Sequence, residues 1–271
     1  MTLKRRLQIL EALGLTPLWQ PRTTTKSSTS PFEHTTSSAP LSKATTSSFE
    51  QSTVVTSALN VSANAITSVV ADRHRRIAQL DWPTLQQEVK QCRACHLCET
   101  RKNTVFGAGD PQADWLIIGE APGAEEDRRG EAFVGQGGIL LDNMLASIQR
   151  KRQQDVYIAN VLKCRPPQNR NPKLEEIVQC QPLLLRQISL IQPQLILALG
   201  RFAAQTLLNS QESIARLRGK IHHYQGIPLI VSYHPAYLLR NPLDKAKAWE
   251  DLLFARATST KLSPQPPSAQ T

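Results

Sequence analysis

Four of the five cysteines in this chain of 271 residues fall in two pairs. Cys92 and Cys95 are spaced C-x2-C in QCRACHLCETR, and Cys164 and Cys180 are spaced C-x15-C in KCRPPQNRNPKLEEIVQC. A C-x2-C turn lets two thiolates face one metal, and a second pair brought alongside would complete a four-thiolate site, for zinc or for an iron–sulfur cluster. Cys98 is a spare thiol on the same loop, expected to pack rather than ligate. A second group of residues suits a different chemistry. Glu120 stands in GEAPG (119–123), with the acids Glu125, Glu126 and Asp127 just beyond. Asn160 closes VYIAN, and its carboxamide offers a donor and an acceptor to a planar amide-like edge such as a nucleobase. His234, in SYHPAYLLRNP, is stiffened by Pro235 and can donate to a developing anion. Phe133, in GEAFVGQGG, is an aromatic in a glycine-rich loop, suited to stacking on a flat ligand. Singly, each has a structural use, as turn former, core histidine or core aromatic.

The elements around them bring these residues together. Apolar runs predict strands at 115–119, Val156–Asn160, Leu195–Leu199 and Ile227–Tyr233, and helical patterns cover Ile139–Ile148, Leu174–Ile191 and Phe202–Leu208. Strands alternating with helices predict an α/β fold, three-layer α/β/α, with a mostly parallel four-stranded central sheet. Parallel strands place their carboxyl ends on one edge, where such sheets bind ligands. GEAPG, Asn160, Gly200 and His234 end the four strands and are therefore expected to meet.

Residues 21–69 are dominated by Ser, Thr and Ala, a composition that cannot offset its ordering entropy and predicts a disordered linker. Residues 258–271 read as a disordered tail, which leaves 70–257 as the folded domain. Ahead of the linker, residues 1–20 carry leucines at helical spacing (Leu3, Leu7, Leu10, Leu13), then Gly14, Pro17 and Trp19. A helix this short needs something to pack on, and a tethered docking peptide is the expectation. It is similar to the N-terminal peptide of the psi subunit of the bacterial clamp loader, which implies a replisome protein as partner. A net charge of +10 predicts an acidic partner, nucleic acid ahead of membrane. Arg165, Arg170 and Lys173, with the loop Arg216, Arg218 and Lys220, are expected to face phosphate. No apolar run approaches membrane-spanning length, and the basic N-terminus lacks a signal peptide's apolar core, so a cytoplasmic protein is expected.

GEAPG-x-x-ED with its following Phe-Val-Gly, VYIAN-x-x-KCRPP-x-NR, LALGRFAA, RLRGK and YHPAYLLRNP resemble, in order from about residue 81 to 254, the iron–sulfur branch of the uracil-DNA glycosylase superfamily, its family 4. The resemblance implies a [4Fe-4S] cluster on Cys92, Cys95, Cys164 and Cys180. It implies a monomeric, monofunctional repair enzyme acting on uracil in single- or double-stranded DNA, nucleoid-associated, that leaves an abasic site. Gly119, Glu120 and Ala121 would wall the uracil pocket. Phe133 would stack on the extruded base, Asn160 would read its edge, and His234 would contact O2 as charge develops. Glu126 would lie against C5, where a thymine methyl would clash. Leu238 is the expected wedge into the vacated stack, with Arg240 and Arg218 on phosphates. Better-known uracil glycosylases place a water-positioning aspartate where this chain has Ala121, so Glu120 or backbone groups would orient the water. The rival reading is a non-catalytic iron–sulfur or zinc DNA-binding module, or a replisome accessory.

Overall fold

The computed structural model describes residues 71–262. The proposed docking peptide at 1–20 and linker at 21–69 lie outside the described residues, as do residues 263–271.

A helical stretch at 71–77 leads into α1 (Trp82–Gln91), whose N-terminus is capped by Asp81 accepting from the Thr84 amide at 2.9 Å. The cysteine turn and the short α2 (Leu97–Thr100) follow. The two-residue β1 (Ala108–Gly109) precedes β2 (Trp115–Gly119), α3 (Ala124–Arg129), α4 (Gln136–Ser147) and β3 (Val156–Asn160). The long α5 (Leu174–Ile191) leads to β4 (Leu195–Leu199), α6 (Arg201–Leu208) and α7 (Ile214–Leu217). The chain then runs through β5 (His222–Tyr224), β6 (Ile227–Ser232), α8 (Pro235–Arg240) and α9 (Lys245–Leu262).

The sheet order is β1-β3-β2-β4-β6-β5. The four expected strands form its parallel centre, β3-β2-β4-β6. Six strands are present rather than four, because β1 and β5 add antiparallel edges to β3 and β6. Both are too short to show an apolar run.

Side-chain alternation along the central strands builds two cores. Leu116, Ile118, Ala159, Ile196, Ala198 and Val231 pack on one face with α5 and α6, through residues such as Leu184, Ile188 and Ala203. Trp115, Ile117, Ile158, Leu197 and Ile230 pack on the other with α4 and α9, through residues such as Leu141, Met144 and Leu252. This is the expected three-layer arrangement, with every residue of β2, β3 and β4 buried, as parallel strands covered on both faces should be. A third cluster, Ile77, Leu85, Val89, Phe106 and Leu183, fastens the N-terminal helices against α5 and so fixes the turn that carries Cys92 and Cys95.

The expected boundary of the tail at 258 is corrected. Helix α9 continues through Leu262, with Thr258 and Ser259 buried and Ser259 Oγ accepting from the Trp115 indole at 2.9 Å. A polar helix end docked on the core carries no apolar signal in sequence.

Candidate active site

β2 and β3 end in register, with Gly119 opposite Asn160. The loop leaving β2 is stapled to the chain leaving β3, since the Val161 and Leu162 amides donate to the Gly119 and Glu120 carbonyls at 3.0 and 3.1 Å. A side chain at Gly119 would collide with Asn160 Oδ1 and come within 2.7 Å of Phe133 Cζ. The carboxamide and the phenyl ring therefore both close over this glycine. Asn160 is 2 % exposed and its Oδ1 has no hydrogen-bond partner, although it borders the cavity at the strand ends. A buried acceptor left unpaired costs on the order of 1–3 kcal/mol, so this atom is prepared for a donor that the protein does not supply.

The cavity encloses about 840 Å³ and is bordered by Glu120, Ala121, Glu126, Phe133, Asn160 and His234, with Arg201, Phe202, Tyr237 and Arg240 further out. The structure thus gathers Glu120, Ala121, Glu126, Phe133, Asn160 and His234 around one space, while Gly119 lies outside the lining, behind Asn160 and Phe133. This volume lies within the range of small-molecule binding clefts.

His234 follows β6 and caps α8, its Nδ1 accepting from the Ala236 amide at 3.1 Å. Burial, with help from the nearby Arg240 charge, pushes its pKa down to about 4. The imidazole is therefore neutral at physiological pH, and with Nδ1 accepting, the proton resides on Nε2. The ring lies 5.5 Å from the Phe133 ring, tilted by 31°. Burial likewise pushes the Glu120 carboxyl up to about 7, opposed by Arg201. It is poised to exchange a proton near neutrality.

Glu126, in the first turn of α3, has both carboxylate oxygens engaged. Oε2 accepts from the Gly123 amide at 3.1 Å, and Oε1 from the Val134 and Gly135 amides at 2.9 Å each. It borders the pocket as a fixed wall and ties the Phe133 loop to α3. Phe133 itself has φ of 54°, a left-handed backbone that costs a side-chain-bearing residue roughly 1–2 kcal/mol.

Away from the pocket, Cys92, Cys95, Cys164 and Cys180 line one small cavity together with Arg101 and Lys163. Arg101 Nη1 donates to Cys164 Sγ at 2.9 Å and Nη2 to the Cys92 carbonyl at 2.6 Å. Lys163 is 1 % exposed, and burial pushes its ammonium down to about 8, opposed by Cys180 and Cys164. Its ammonium also donates to the Asn160 carbonyl at 2.9 Å, joining the cysteine cavity to the strand end that carries the unpaired carboxamide oxygen. Burial pushes the Cys164 and Cys180 thiols up to about 11 and 12, so ionising them needs a strong compensating charge. Among the described residues no three His, Cys, Asp or Glu are grouped as the ligands of one metal ion.

The sequence pattern of the Uracil DNA glycosylase superfamily matches residues 106–253. The chain is 46 % identical to the type-4 uracil-DNA glycosylase of Archaeoglobus fulgidus over 164 residues, 58 % of this chain and 82 % of that protein. It is 40 % identical to the type-4 uracil-DNA glycosylase of Saccharolobus solfataricus over 190 residues, 67 % of this chain and 87 % of that one. The Thermotoga maritima type-4 uracil-DNA glycosylase is 43 % identical over 159 residues, 58 % of this chain and 82 % of the relative. The chain belongs to the uracil-DNA glycosylase superfamily.

Two residues expected on the DNA side of this uracil-DNA glycosylase superfamily member are placed differently. Leu238 is 1 % exposed and belongs to the core, so the residue expected as the wedge is a packing residue. Leu239, next to it, is 42 % exposed and precedes Arg240, which borders the cavity. Arg218 is also committed inward. Its Nε and Nη2 reach Asp251 at 3.1 and 2.9 Å, Nη2 also donates to the Lys247 carbonyl, and its side chain is 17 % exposed. Asp251, buried, additionally accepts from Ser232 Oγ at 2.8 Å, so Arg218 neutralises an internal carboxylate. Arg170 borders the cavity while paired bidentately with the buried Glu176, and Arg240 is exposed at its rim. Sequence reasoning missed Arg201, whose only signal was its place directly after the strand-ending Gly200. Among the described residues no helix is long and apolar enough to cross a membrane.

Proposed function

We propose that this protein excises uracil from DNA, hydrolysing the bond between deoxyribose C1′ and uracil N1 to release free uracil and leave an abasic site. The observation that carries the reading is the unpaired Asn160 Oδ1, buried between Phe133 and the His234 side of the pocket. Uracil presents an N3–H donor flanked by carbonyl acceptors. A carboxamide answers that edge with Oδ1 accepting from N3–H and Nδ2 donating to O4. With the carboxamide held in that orientation, cytosine, which has an acceptor at N3 and a donor at position 4, would leave both groups of Asn160 unpaired.

The target nucleotide is extruded from the strand at a cost of a few kcal/mol, and its base slides beneath Phe133. Glu126, immobilised by three amides, is the wall that a 5-methyl group would strike, which excludes thymine. As the C1′–N1 bond breaks, its electron pair moves onto the base, and His234 Nε2–H donates to O2 of the forming uracil anion. A neutral imidazole serves here, because a fixed donor aimed at developing charge needs no proton transfer. Water adds to C1′, its proton passing to the Glu120 carboxylate. Arg240 contacts a phosphate that flanks the target, and Leu239 fills the vacated stack.

The cysteine quartet suits a [4Fe-4S] cluster. Four thiols on one cavity supply the ligands, and Arg101, which donates to Cys164 Sγ, supplies positive charge beside them, with Lys163 also lining the cavity. Bound there, the cluster would act as a crosslink between the turn after α1, the end of β3 and α5. Uracil-bearing DNA is the partner, with a replisome protein at residues 1–20 as the second.

The test is release of free uracil from a labelled single-stranded oligonucleotide by cluster-loaded protein, with thymine and cytosine controls and Asn160→Ala and His234→Ala variants. Uracil freed by the wild type alone is expected. No release by the brown, anaerobically prepared protein would sink the reading in favour of a DNA-binding module.

A further inference from the structure

Four consecutive residues of the pocket loop have a main-chain group held by a charged side chain from elsewhere. Arg152 Nη1 donates to the Ala132 carbonyl at 2.7 Å and Nη2 to the Phe133 carbonyl at 2.8 Å. Glu126 Oε1 takes the next two amides, those of Val134 and Gly135. The segment so gripped centres on Phe133, an aromatic residue with φ of 54°. Behind it, any side chain at Gly138 would run into the Phe133 carbonyl, so this glycine lets α4 approach the loop. Arg152 is itself oriented, since its Nε and Nη2 lie 2.9 and 2.8 Å from Asp142 Oδ1 on α4, and its side chain is only 12 % exposed. An unfavoured backbone conformation persists only where surrounding contacts over-determine it, and such contacts are what make a binding surface rigid before the ligand arrives.

We infer that Arg152 is a positioning residue for base recognition: its planar fork on two successive carbonyls holds Phe133 in the left-handed conformation that presents the ring to the base. The inference rests on the reading of Phe133 as the stacking ring. Arg152 lies on the turn before β3, outside the cavity lining, so it touches neither base nor sugar and acts only through the loop. Lysine cannot replace it, because one ammonium lacks the fixed geometry of two parallel donors. Asp142 orients the guanidinium, giving a relay from α4 through Arg152 to Phe133.

The experiment is a double-mutant cycle on the full-length, cluster-loaded protein, comparing wild type, Phe133→Ala, Arg152→Lys and the double variant. Inhibition by free uracil is read alongside KM and kcat on a single-stranded uracil oligonucleotide. Arg152→Lys keeps the charge and the Asp142 partner, so the fold is retained where alanine would endanger it. The expected result is a rise of about tenfold in the uracil inhibition constant and in KM, the worth of one charge-assisted hydrogen bond, with kcat changed less than about twofold. In the Phe133→Ala background the same substitution should have no further effect, since the group it positions is gone. Equal effects in both backgrounds, or none in either, would overturn the role of Arg152 while leaving Phe133 as the stacking ring. A Phe133→Ala variant with unaltered uracil inhibition would instead remove the stacking reading, and this inference with it.

Discussion

Gly119 and Asn160 are register partners in adjacent parallel strands, and the space a side chain at the first would occupy is filled by the carboxamide of the second. Phe133 Cζ closes over the same point. Gly119→Ala should therefore displace both recognition groups while leaving the sheet intact. A misplacement of this size costs about 100-fold in rate, and kcat/KM on a uracil oligonucleotide is expected to fall by that order with little change in far-UV circular dichroism.

The pH profile should follow Glu120. Burial raises its carboxyl to about 7, so the free enzyme holds it protonated below that value and ionised above. If the carboxylate takes the proton of the attacking water, kcat/KM rises about tenfold per pH unit up to about 7 and then levels. Glu120→Gln should be slower and lose this limb. His234, held near 4, is neutral across the whole range and contributes no second limb above pH 5. A wild-type profile flat from pH 5.5 to 8 would exclude Glu120 from the role.

Arg218 and Arg240 should separate in opposite senses. Removing Arg218 leaves the Asp251 carboxylate buried without its cation, which costs about 3 kcal/mol of stability, visible as a lowered thermal midpoint. The salt dependence of DNA binding should not change. Removing the exposed Arg240 should leave the midpoint alone and reduce the slope of log K against log salt by about 1.

The adjacent leucines of α8 give a third contrast. Leu238→Ala empties a core position and should destabilise by about 3 kcal/mol. Leu239→Ala should stay within roughly 0.5 kcal/mol of wild type. Its effect belongs on duplex substrate, where loss of the wedge should lower activity about tenfold while single-stranded DNA is processed normally.

The cysteine quartet predicts a spectroscopic outcome. Substituting Cys164 or Cys180 with serine should abolish broad visible absorption and iron content, whereas Cys98→Ser should retain both. Zinc with no iron in aerobically and anaerobically prepared wild type would refute the cluster.

The central strands were readable because β2, β3 and β4 are buried on both faces and spell this out as unbroken apolar runs, and residues at the strand ends, Glu120, Asn160, Gly200 and His234, border one cavity. Edge strands of two and three residues have no room for a pattern. The start of α4 was hidden by Gly137 and Gly138, which lie against Ala236 of α8 and the Phe133 carbonyl and have poor helix propensity. Choosing between Leu238 and Leu239 required the rotation of a six-residue helix, which periodicity cannot fix over so short a span. Arg218 was misjudged because charge in a sequence carries no record of its partner, here Asp251, 33 residues away. Arg152 left no trace for a related reason: it works on main-chain carbonyls, which every residue has.

His234 is the first residue of the structure that carries Leu239 and Arg240, since its ring nitrogen holds the Ala236 amide at the start of α8. The imidazole that borders the cavity is thus also the cap of the helix that follows it. On the reading proposed above, DNA that displaced α8 would move this ring with it, so a strand that seats badly would leave the donor off target.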